Sequence, residues 1–221
     1  MSGGHPFLVA VDGPAASGKG TIADGLAGLL GYPHLDSGLL YRAVGVALLA
    51  QGGDLDDAEA AAAAARTLRT DQLEDPALRT REAGEAASRV AVHAPVRTAL
   101  LAFQRKFAAR RPGSVIDGRD IGTVIAPWAP AKLFVTATPE VRATRRWRQL
   151  DGHGQSVAYE DVLADIRLRD ARDSGRAAAP MSMASDAVLL DTTEMTIDQA
   201  ADAARRIVET ARGRWAQAQG G

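Results

Sequence analysis

Short, continuous apolar runs alternate along the chain with longer stretches in which apolar residues recur at helical spacing. Such runs occur at 7–11, 114–117, 132–136 and 188–191, and each has the length of a strand that is buried on both faces of a sheet. Strands of this kind, when they alternate with helices, are typical of a parallel sheet covered by helices on both sides. The pattern therefore predicts an α/β fold with one core.

Glycine, proline and capping residues predict where the helices of the first half begin and end. Gly31 is expected to end the helix that follows the first strand. Ser37 is the expected N-cap of a second helix over about 39–51. The stretch 56–111 is rich in helix-forming residues and is interrupted near Asp75-Pro76.

In the second half, Pro139 marks the start of a helix that runs to about residue 150. A glycine-broken loop at 151–154 interrupts it, and a charged helix is expected over 159–173. Thr196 and Gln199 have the spacing of a capping box, which predicts a last helix after them.

The polar segments that follow the strands are the predicted location of the functional site. In parallel α/β sheets, ligands bind beyond the carboxyl ends of the strands. The segments 13–21, 36–42 and 117–120 should therefore face one cleft.

The first of these segments has the spacing of a phosphate-binding loop, Gly-x4-Gly-Lys, and it lies between a predicted strand and a predicted helix. Glycines let backbone N–H groups surround phosphate oxygens, and the helix N-terminus adds partial positive charge. Lys19 is expected to reach the β- and γ-phosphates of ATP. The predicted ATP-binding residues are Gly13, Pro14, Ala15, Ala16, Ser17, Gly18, Lys19, Gly20 and Thr21.

The candidate Mg²⁺ ligands are Thr21 and Asp117. Gly20 stands where this motif usually has a serine or threonine ligand, so Thr21 is the nearest hydroxyl. Asp117 ends an apolar run and is a candidate for holding Mg²⁺, directly or through water. A strand-end aspartate that only caps a turn is the competing interpretation. Arg119 follows closely with a guanidinium suited to phosphate, which favours function.

Arginines are concentrated around the glycine-broken loop. Phosphoryl transfer needs positive charge around the migrating group, and a mobile loop with arginines would supply it while excluding water. The alternative is two solvated helix faces, on which nearby aspartates pair with the arginines at helical spacing. The arginines are Arg142, Arg145, Arg146, Arg148, Arg167, Arg169, Arg172 and Arg176.

Composition excludes several other classes of protein. The chain has 221 residues, 46% of them hydrophobic, and a net charge of −1, which favours neither nucleic-acid nor membrane binding. Without cysteine there are no disulfides, cysteine nucleophiles or cysteine zinc sites. Residues 1–6 lack the pattern of a secretory signal, so we expect a cytoplasmic protein. His5, His34, His93 and His153 lack metal-ligand spacing and are expected to be structural or on the surface.

These residues by themselves leave several functions open. One is a kinase for uridylate, adenylate or a non-nucleotide acceptor. Another is a switch in which nucleotide hydrolysis controls a partner, although the Asn-Lys-x-Asp motif typical of such switches is missing from the sequence. A phosphate-monoester acceptor needs no catalytic base, since its second pKa of about 6 leaves an oxygen ionised at neutral pH.

The motifs and their order resemble those of bacterial cytidylate kinases, which are P-loop nucleoside monophosphate kinases. Most of the chain takes part, and the combination is specific although each piece alone is weak. The matching segments are Asp12-Gly13-Pro14-Ala15-Ala16-Ser17-Gly18-Lys19-Gly20-Thr21, Leu35-Asp36-Ser37-Gly38-Leu39-Leu40-Tyr41-Arg42, Asp117-Gly118-Arg119-Asp120-Ile121-Gly122-Thr123, and Arg169-Asp170-x-Arg172-Asp173 with Arg176 and Pro180.

The resemblance implies a single P-loop kinase domain over 1–221: a parallel sheet flanked by helices, a helical NMP-binding lobe inserted at 37–111 and a short lid at 142–155. The implied reaction is ATP-dependent phosphorylation of CMP and dCMP to CDP and dCDP by in-line transfer in pyrimidine nucleotide metabolism, with Mg²⁺ as cofactor. We expect a monomer whose partners are these small molecules. The segment 70–80 is shorter than the strand-rich insert of bacterial members.

The resemblance also implies roles for individual residues. Ser88, Arg97 and Asp120 would read the cytosine edge, and Asp173 with Arg176 would hold the sugar. The residues implied in catalysis are Lys19, Arg119, Arg145, Arg146 and Arg169. The residues implied in acceptor binding are Ser37, Tyr41, Arg42, Ser88, Arg97, Asp117, Arg119, Asp120, Asp173 and Arg176.

Overall fold

The computed structural model describes residues 5–152 and 154–219, and within them five strands form one parallel sheet. The strands are β1 (Phe7–Asp12), β2 (His34–Asp36), β3 (Gly113–Gly118), β4 (Ala131–Thr136) and β5 (Val188–Asp191). Their spatial order is β2-β3-β1-β4-β5. The predicted parallel sheet is confirmed. The apolar pattern missed β2, because only one of its three side chains, Leu35, is buried.

The described part of the chain also contains eight α-helices. They are α1 (Lys19–Leu30), α2 (Ser37–Ala50), α3 (Ala58–Arg66), α4 (Arg81–Val90), α5 (Ala94–Ala108), α6 (Pro139–Gly152), α7 (Tyr159–Gly175) and α8 (Ile197–Gln219). Two 3₁₀ turns, Thr70–Glu74 and Pro76–Arg79, separate α3 from α4, and a π-helical turn, Ile121–Ile125, follows β3. None of these described helices combines the length and apolar character needed to cross a membrane.

The sheet separates two apolar cores, because successive side chains of a strand point to opposite faces. From β1, Leu8 and Ala10 pack into one core with residues of α2 to α5. Phe7, Val9 and Val11 pack into the other with residues of α1 and α8. All five side chains are fully buried, as expected for the central strand of a sheet that is covered on both faces.

The helix ends confirm one capping prediction and correct another. Gln199 donates its backbone N–H to Oγ1 of Thr196 at 3.2 Å, and Oε1 of Gln199 accepts from the backbone N–H of Thr196 at 2.9 Å. The N-cap of α2 is Asp36 and not Ser37, since Oδ1 of Asp36 accepts from the N–H of Gly38 at 2.8 Å. Ser37 is the first residue of the helix.

The predicted break at 151–154 falls at the end of α6, which continues to Gly152. His153 lies outside the described residues, and so does the prediction made for it; the same holds for residues 1–4 of the N-terminal segment. Helices α2 to α5 occupy the predicted lobe, 37–111, and α6 occupies most of the predicted lid, 142–155. Both sets of boundaries remain predictions.

Candidate active site

Strand β1 leads directly into a tight loop that ends at the first residue of α1. Gly13 has a φ of 149°, and a Cβ at this position would lie 2.0 Å from the carbonyl oxygen of Val135 in β4. Gly18 has a φ of 89° and forms the N-cap of α1. Only glycine combines this backbone conformation with so close an approach to the neighbouring strand. The segment thus has the tight turn into a helix N-terminus that phosphate binding requires.

Side chains from distant elements hold the carbonyl groups of this loop. Arg142 of α6 donates to the carbonyl oxygen of Ala15 at 3.2 Å. Arg145 and Thr192 both donate to the carbonyl oxygen of Ser17, at 3.3 and 3.1 Å. The position of the loop therefore depends on α6 and on the residue that follows β5.

Three charged groups meet where the loop approaches the carboxyl ends of β2 and β3. The strand register places Asp36 beside Asp117. Nζ of Lys19 lies 3.6 Å from Oδ2 of Asp117, and Nε2 of His34 is hydrogen-bonded to Oδ1 of Asp117 at 2.9 Å. Burial and the charge of Asp117 raise the pKa of Asp36. Burial and the charge of Arg119 lower the pKa of Lys19 to about 8.

Arginines surround a single buried carboxylate next to this group. Arg119 donates from Nε to Oδ2 of Asp173 at 2.9 Å, and Nε of Arg169 lies 3.8 Å from the same oxygen. Burial and the charge of Arg119 lower the pKa of Arg169 to about 9. Nε of Arg169 and Nη2 of Arg176 are buried without a hydrogen-bond partner among the described residues. Because one carboxylate does not neutralise three guanidinium groups, the cluster favours an anion.

A cavity of about 120 Å³ opens between Lys19 and these arginines. It brings together every residue predicted to bind the acceptor except Asp117, which lies beneath Lys19 and is 1% exposed. The predicted residues that line it are Ser37, Tyr41, Arg42, Ser88, Arg97, Arg119, Asp120, Asp173 and Arg176. They come from α2, α4, α5 and α7 and from the segments directly after β3 and α7.

The cavity is also lined by a paired donor and acceptor, Arg97 and Asp120. Arg97 donates to Oδ2 of Asp120, and its guanidinium lies 5.6 Å from the ring centre of Tyr41. Burial disfavours the charge of Arg97, but Tyr41 and Asp120 offset this and hold its pKa above the ordinary value. The side chains of Arg97 and Asp120 therefore offer hydrogen-bond donors and an acceptor side by side.

Two of the arginines that the resemblance implies in catalysis, Arg145 and Arg146, do not line the cavity, whereas Arg169 does. Arg145 does not line it, because its guanidinium is hydrogen-bonded to Thr192 and to the phosphate-binding loop. Arg146 lines an adjoining cleft of about 620 Å³, together with Arg42 and Arg169. Burial, with the charge of Arg146, lowers the pKa of Arg42 to about 10. Arg42 also donates to the carbonyl oxygen of Leu78 at 2.7 Å, which ties α2 to the second 3₁₀ turn.

Three further residues hold parts of the site in place, although the sequence did not mark them as site residues: Asp12, His34 and Thr192. Asp12 accepts the backbone N–H groups of Ile121 and Gly122, each at 2.8 Å, and so holds the turn that follows Arg119 and Asp120. Burial raises the pKa of Asp12 to about 7, although these two N–H groups oppose the shift. Asp12, like Asp36, is the last residue of a strand, and this position in the sequence could have indicated that it belongs to the site. His34 and Thr192 carried no comparable signal, because their partners are remote in sequence.

Mg²⁺ held together with ATP needs one or two protein oxygens, because phosphates and water supply the others. Within 5–152 and 154–219, no cluster of three or more histidine, aspartate or glutamate residues has the arrangement of a metal site. Thr21 is exposed in the first turn of α1. Asp117 is buried, with both carboxylate oxygens next to other side chains. The residues fit a bound Mg²⁺–ATP in which Asp117 acts through water.

A parallel sheet with a glycine-rich phosphate loop at its carboxyl edge, next to an arginine-lined cavity, defines a P-loop kinase. Residues 9–210 match the family described as cytidylate kinase. The chain belongs to the cytidylate kinase family.

Relatives that match nearly the whole chain support this family assignment. A cytidylate kinase of Caulobacter sp. strain K31 is 69% identical over 214 residues, which cover 97% of this chain and 99% of the relative. A cytidylate kinase of Caulobacter vibrioides strain NA1000 is 71% identical over 208 residues, which cover 94% and 98%.

Two solved structures are similar in fold. A gluconokinase from Sinorhizobium meliloti has a TM-score of 0.51 and 15% identity, with coverage of 96% of this chain and 98% of the other. An uncharacterised protein from Eubacterium ventriosum has a TM-score of 0.53 and 16% identity, with coverage of 92% and 98%. At this identity the similarity shows the fold alone.

Proposed function

We propose that this protein transfers the terminal phosphoryl group of ATP to CMP and dCMP, forming ADP and CDP or dCDP. The observation that carries this proposal is one cavity lined both by Lys19 with several arginines and by the hydrogen-bonded pair Arg97–Asp120. Membership of the cytidylate kinase family and the names of the Caulobacter relatives support it.

The donor end is the loop over 13–21, whose backbone N–H groups would hold the ATP phosphates. Lys19 stands between this loop and the acceptor cavity, so its ammonium group can follow the charge that moves between donor and acceptor. Arg145 and Arg146 lie on α6 next to the loop and the adjoining cleft. We assign both to the donor phosphates, so that their charges balance those of the triphosphate.

The acceptor phosphate belongs beside Arg42 and Arg119. Its second ionisation, at about pH 6, supplies a nucleophilic oxygen at neutral pH, so transfer needs no protein base. Arg119 and Arg169, with Lys19, place positive charge where the equatorial oxygens of the migrating group carry negative charge. Catalysis then depends on alignment of the two phosphates and on this fixed charge.

The cytosine ring belongs beside the Arg97–Asp120 pair. Cytosine presents a donor at its N4 amino group and acceptors at N3 and O2, whereas uracil presents an acceptor at O4 and a donor at N3. The carboxylate of Asp120 would accept from N4, and the guanidinium of Arg97, together with the hydroxyl of Ser88, would donate to the edge formed by N3 and O2. Uracil would place O4 against the carboxylate, and this repulsion disfavours it.

Ser37 and Tyr41 border the phosphate end of the acceptor, and Asp173 with Arg176 border its sugar. Asp173 is buried among Arg119, Arg169 and Arg176, whose charges hold its pKa below the ordinary value despite burial, which opposes the shift. It is therefore an ionised acceptor for a sugar hydroxyl. We assign Asp173 and Arg176 to the hydroxyl that ribose and deoxyribose share.

Mg²⁺ would arrive with ATP and neutralise charge on the β- and γ-phosphates. Thr21 and Asp117 are the protein residues that we assign to it, the second through water. Lys19 keeps Asp117 in place from one side and His34 from the other.

We also propose that 37–111 acts as the acceptor-binding lobe and 142–155 as a lid, in a cytoplasmic monomer. Sedimentation equilibrium would test the monomer. Fluorescence from a probe at Gln149 on α6 would test whether ATP and CMP together move the lid.

The test of the function is ADP release with ATP and Mg²⁺, measured separately with CMP, dCMP, UMP, AMP, GMP and no acceptor. Strong turnover confined to CMP and dCMP is the expected result. Turnover with UMP or AMP above that with CMP would overturn the acceptor assignment and leave the phosphate loop assignment intact. Undiminished ATP hydrolysis without acceptor would favour a nucleotide switch.

A further inference from the structure

Arg172 contacts a residue that lines the acceptor cavity but has no role in the reaction as described so far. It lies on α7 next to Asp173, and its Nη1 donates to Oγ of Ser88 on α4 at 2.8 Å. Nη2 of Arg172 forms an ion pair with Oε1 of Glu85 at 3.0 Å. The serine is 2% exposed and lines the cavity. The guanidinium is thus held by Glu85 and directed at a buried hydroxyl that faces the acceptor.

This contact determines what the Ser88 hydroxyl can offer a ligand. A hydroxyl has one proton to donate and two lone pairs that accept. Arg172 occupies one lone pair, and Ser88 forms no other side-chain hydrogen bond within 5–152 and 154–219. The proton therefore stays free for the cavity. A cationic donor on the oxygen also polarises the O–H bond, which makes the hydroxyl a better donor and a poorer acceptor.

We propose that Arg172 is a specificity-determining positioning residue: it fixes the Ser88 hydroxyl as a donor to the base. This rests on the proposed function, in which the base lies beside Ser88, Arg97 and Asp120. A donor at this position matches a ring edge with acceptors, as in cytosine. It opposes an edge that presents N–H at N3, as in uracil.

A purely structural role is the competing explanation. The contacts of Arg172 with Glu85 and Ser88 also hold α4 against α7, so their loss is expected to weaken folding. If Arg172 only holds the two helices together, its replacement would reduce the turnover of CMP and UMP alike. If Arg172 fixes the Ser88 hydroxyl as a donor, its replacement would reduce the turnover of CMP selectively. The ratio of the two specificity constants therefore separates the explanations.

The experiment compares Arg172→Met with Arg167→Met in assays with ATP and a full range of concentrations of either CMP or UMP. Methionine keeps an unbranched side chain but has no donor. Arg167 is the matched control, since it lies on the same helix, is exposed and pairs with Glu140 at 2.8 Å. For Arg172→Met we expect the kcat/KM ratio of CMP to UMP to fall about tenfold, mainly through a higher KM for CMP. The KM for ATP and the kcat at saturating CMP should stay within about twofold.

A double-mutant cycle with Ser88→Ala tests whether Arg172 acts through Ser88. If it does, Arg172→Met should change the CMP to UMP ratio less than about twofold in the Ser88→Ala background. Equal effects of Arg172→Met with and without the serine would overturn the proposal. So would an unchanged ratio in Arg172→Met alone, or an equal loss for both acceptors.

Two further measurements keep the outcomes distinct. A wild-type protein without preference for CMP over UMP would overturn the proposed function itself, whereas a preference that survives Arg172→Met would overturn only this inference. If Arg172→Met does not fold, Glu85→Gln is a second test. It weakens the ion pair that holds Arg172, and Glu85 is half-exposed, so the variant should fold. It should lower the ratio about threefold, and an unchanged ratio would again overturn the inference.

Discussion

The Nζ atom of Lys19 lies 3.6 Å from Oδ2 of Asp117, where the phosphate-binding loop meets the end of β3. The other oxygen of Asp117 is hydrogen-bonded to His34. Lys19 thus has a carboxylate partner in the protein, and the direction of its side chain is set by Asp117, which His34 also holds. A bound phosphate adds a second anion beside the same ammonium group.

Lys19→Met should lower kcat with CMP by about a thousandfold, because it removes positive charge that serves the transition state. The KM for CMP should change less than about threefold, since acceptor binding rests on the arginines. Steady-state kinetics of ADP release measure both. Lys106→Met, at an exposed position on α5, is the control. Turnover equal to that of the wild type would refute the role of the loop.

The affinity for ATP should fall as the pH rises above 8. Burial and Arg119 hold the pKa of Lys19 at about 8 in the free protein, so Lys19 loses its proton above that pH. Phosphates raise this pKa, and ATP binding must then take up a proton. Between pH 8 and 9 the loss of affinity should be roughly fivefold. Calorimetry in two buffers of different ionisation enthalpy would detect the uptake; Lys19→Arg should show none.

Asp12 should make the stability depend on pH in the direction opposite to most aspartates. Its folded pKa of about 7 exceeds the unfolded value of 3.8, so the folded state binds the additional proton between these values. The contribution of Asp12 is therefore present below pH 4 and is lost towards pH 7. Relative to Asp12→Asn, the wild-type free energy of unfolding should fall by on the order of 3 kcal/mol over that range. A constant difference in urea unfolding would mean that the N–H groups of Ile121 and Gly122 keep the carboxylate ionised throughout.

Asp173→Ala should raise the KM for dCMP more than that for UMP, because dCMP has no 2′-hydroxyl and depends more on the shared sugar hydroxyl that we assign to Asp173. It also leaves Arg119, Arg169 and Arg176 without their shared carboxylate. Breaking a buried ion pair costs about 3 kcal/mol of unfolding free energy. Kinetics with dCMP, CMP and UMP, run below the melting temperature of the variant, separate the effects. An equal loss for all acceptors would assign Asp173 to folding only.

His34→Leu should lower kcat about tenfold, since Asp117 loses the hydrogen bond that fixes one of its oxygens. Stability should fall by about 1 kcal/mol. His34→Gln retains a donor and should recover most of the rate. His93→Leu is a suitable control, because His93 contacts only the carbonyl oxygen of Leu55 among its described side-chain hydrogen bonds. A stability loss without a change in kcat would show that His34 is structural.

The positions of most strands and helices could be predicted because they depend on residues that are close together along the chain. The apolar runs of β1, β3, β4 and β5 and the glycine-rich turn are local patterns with few physical alternatives. The exact cap of α2 was not predictable in this way, since Asp36 and Ser37 are both good capping residues. The backbone direction at the end of β2 selected Asp36, whose carboxylate faces the N–H of Gly38.

The sequence by itself predicted four of the five strands, the phosphate-binding loop and, through resemblance, the candidate residues of the acceptor site. Only the tertiary structure decided which side chains meet. His34 and Asp117 are 83 residues apart, and Ser88 and Arg172 are 84 apart. The first contact depends on strand register and the second on the packing of α4 against α7. Neither leaves a local pattern, because burial of apolar side chains in the two cores and between α6 and α7 brings these residues together.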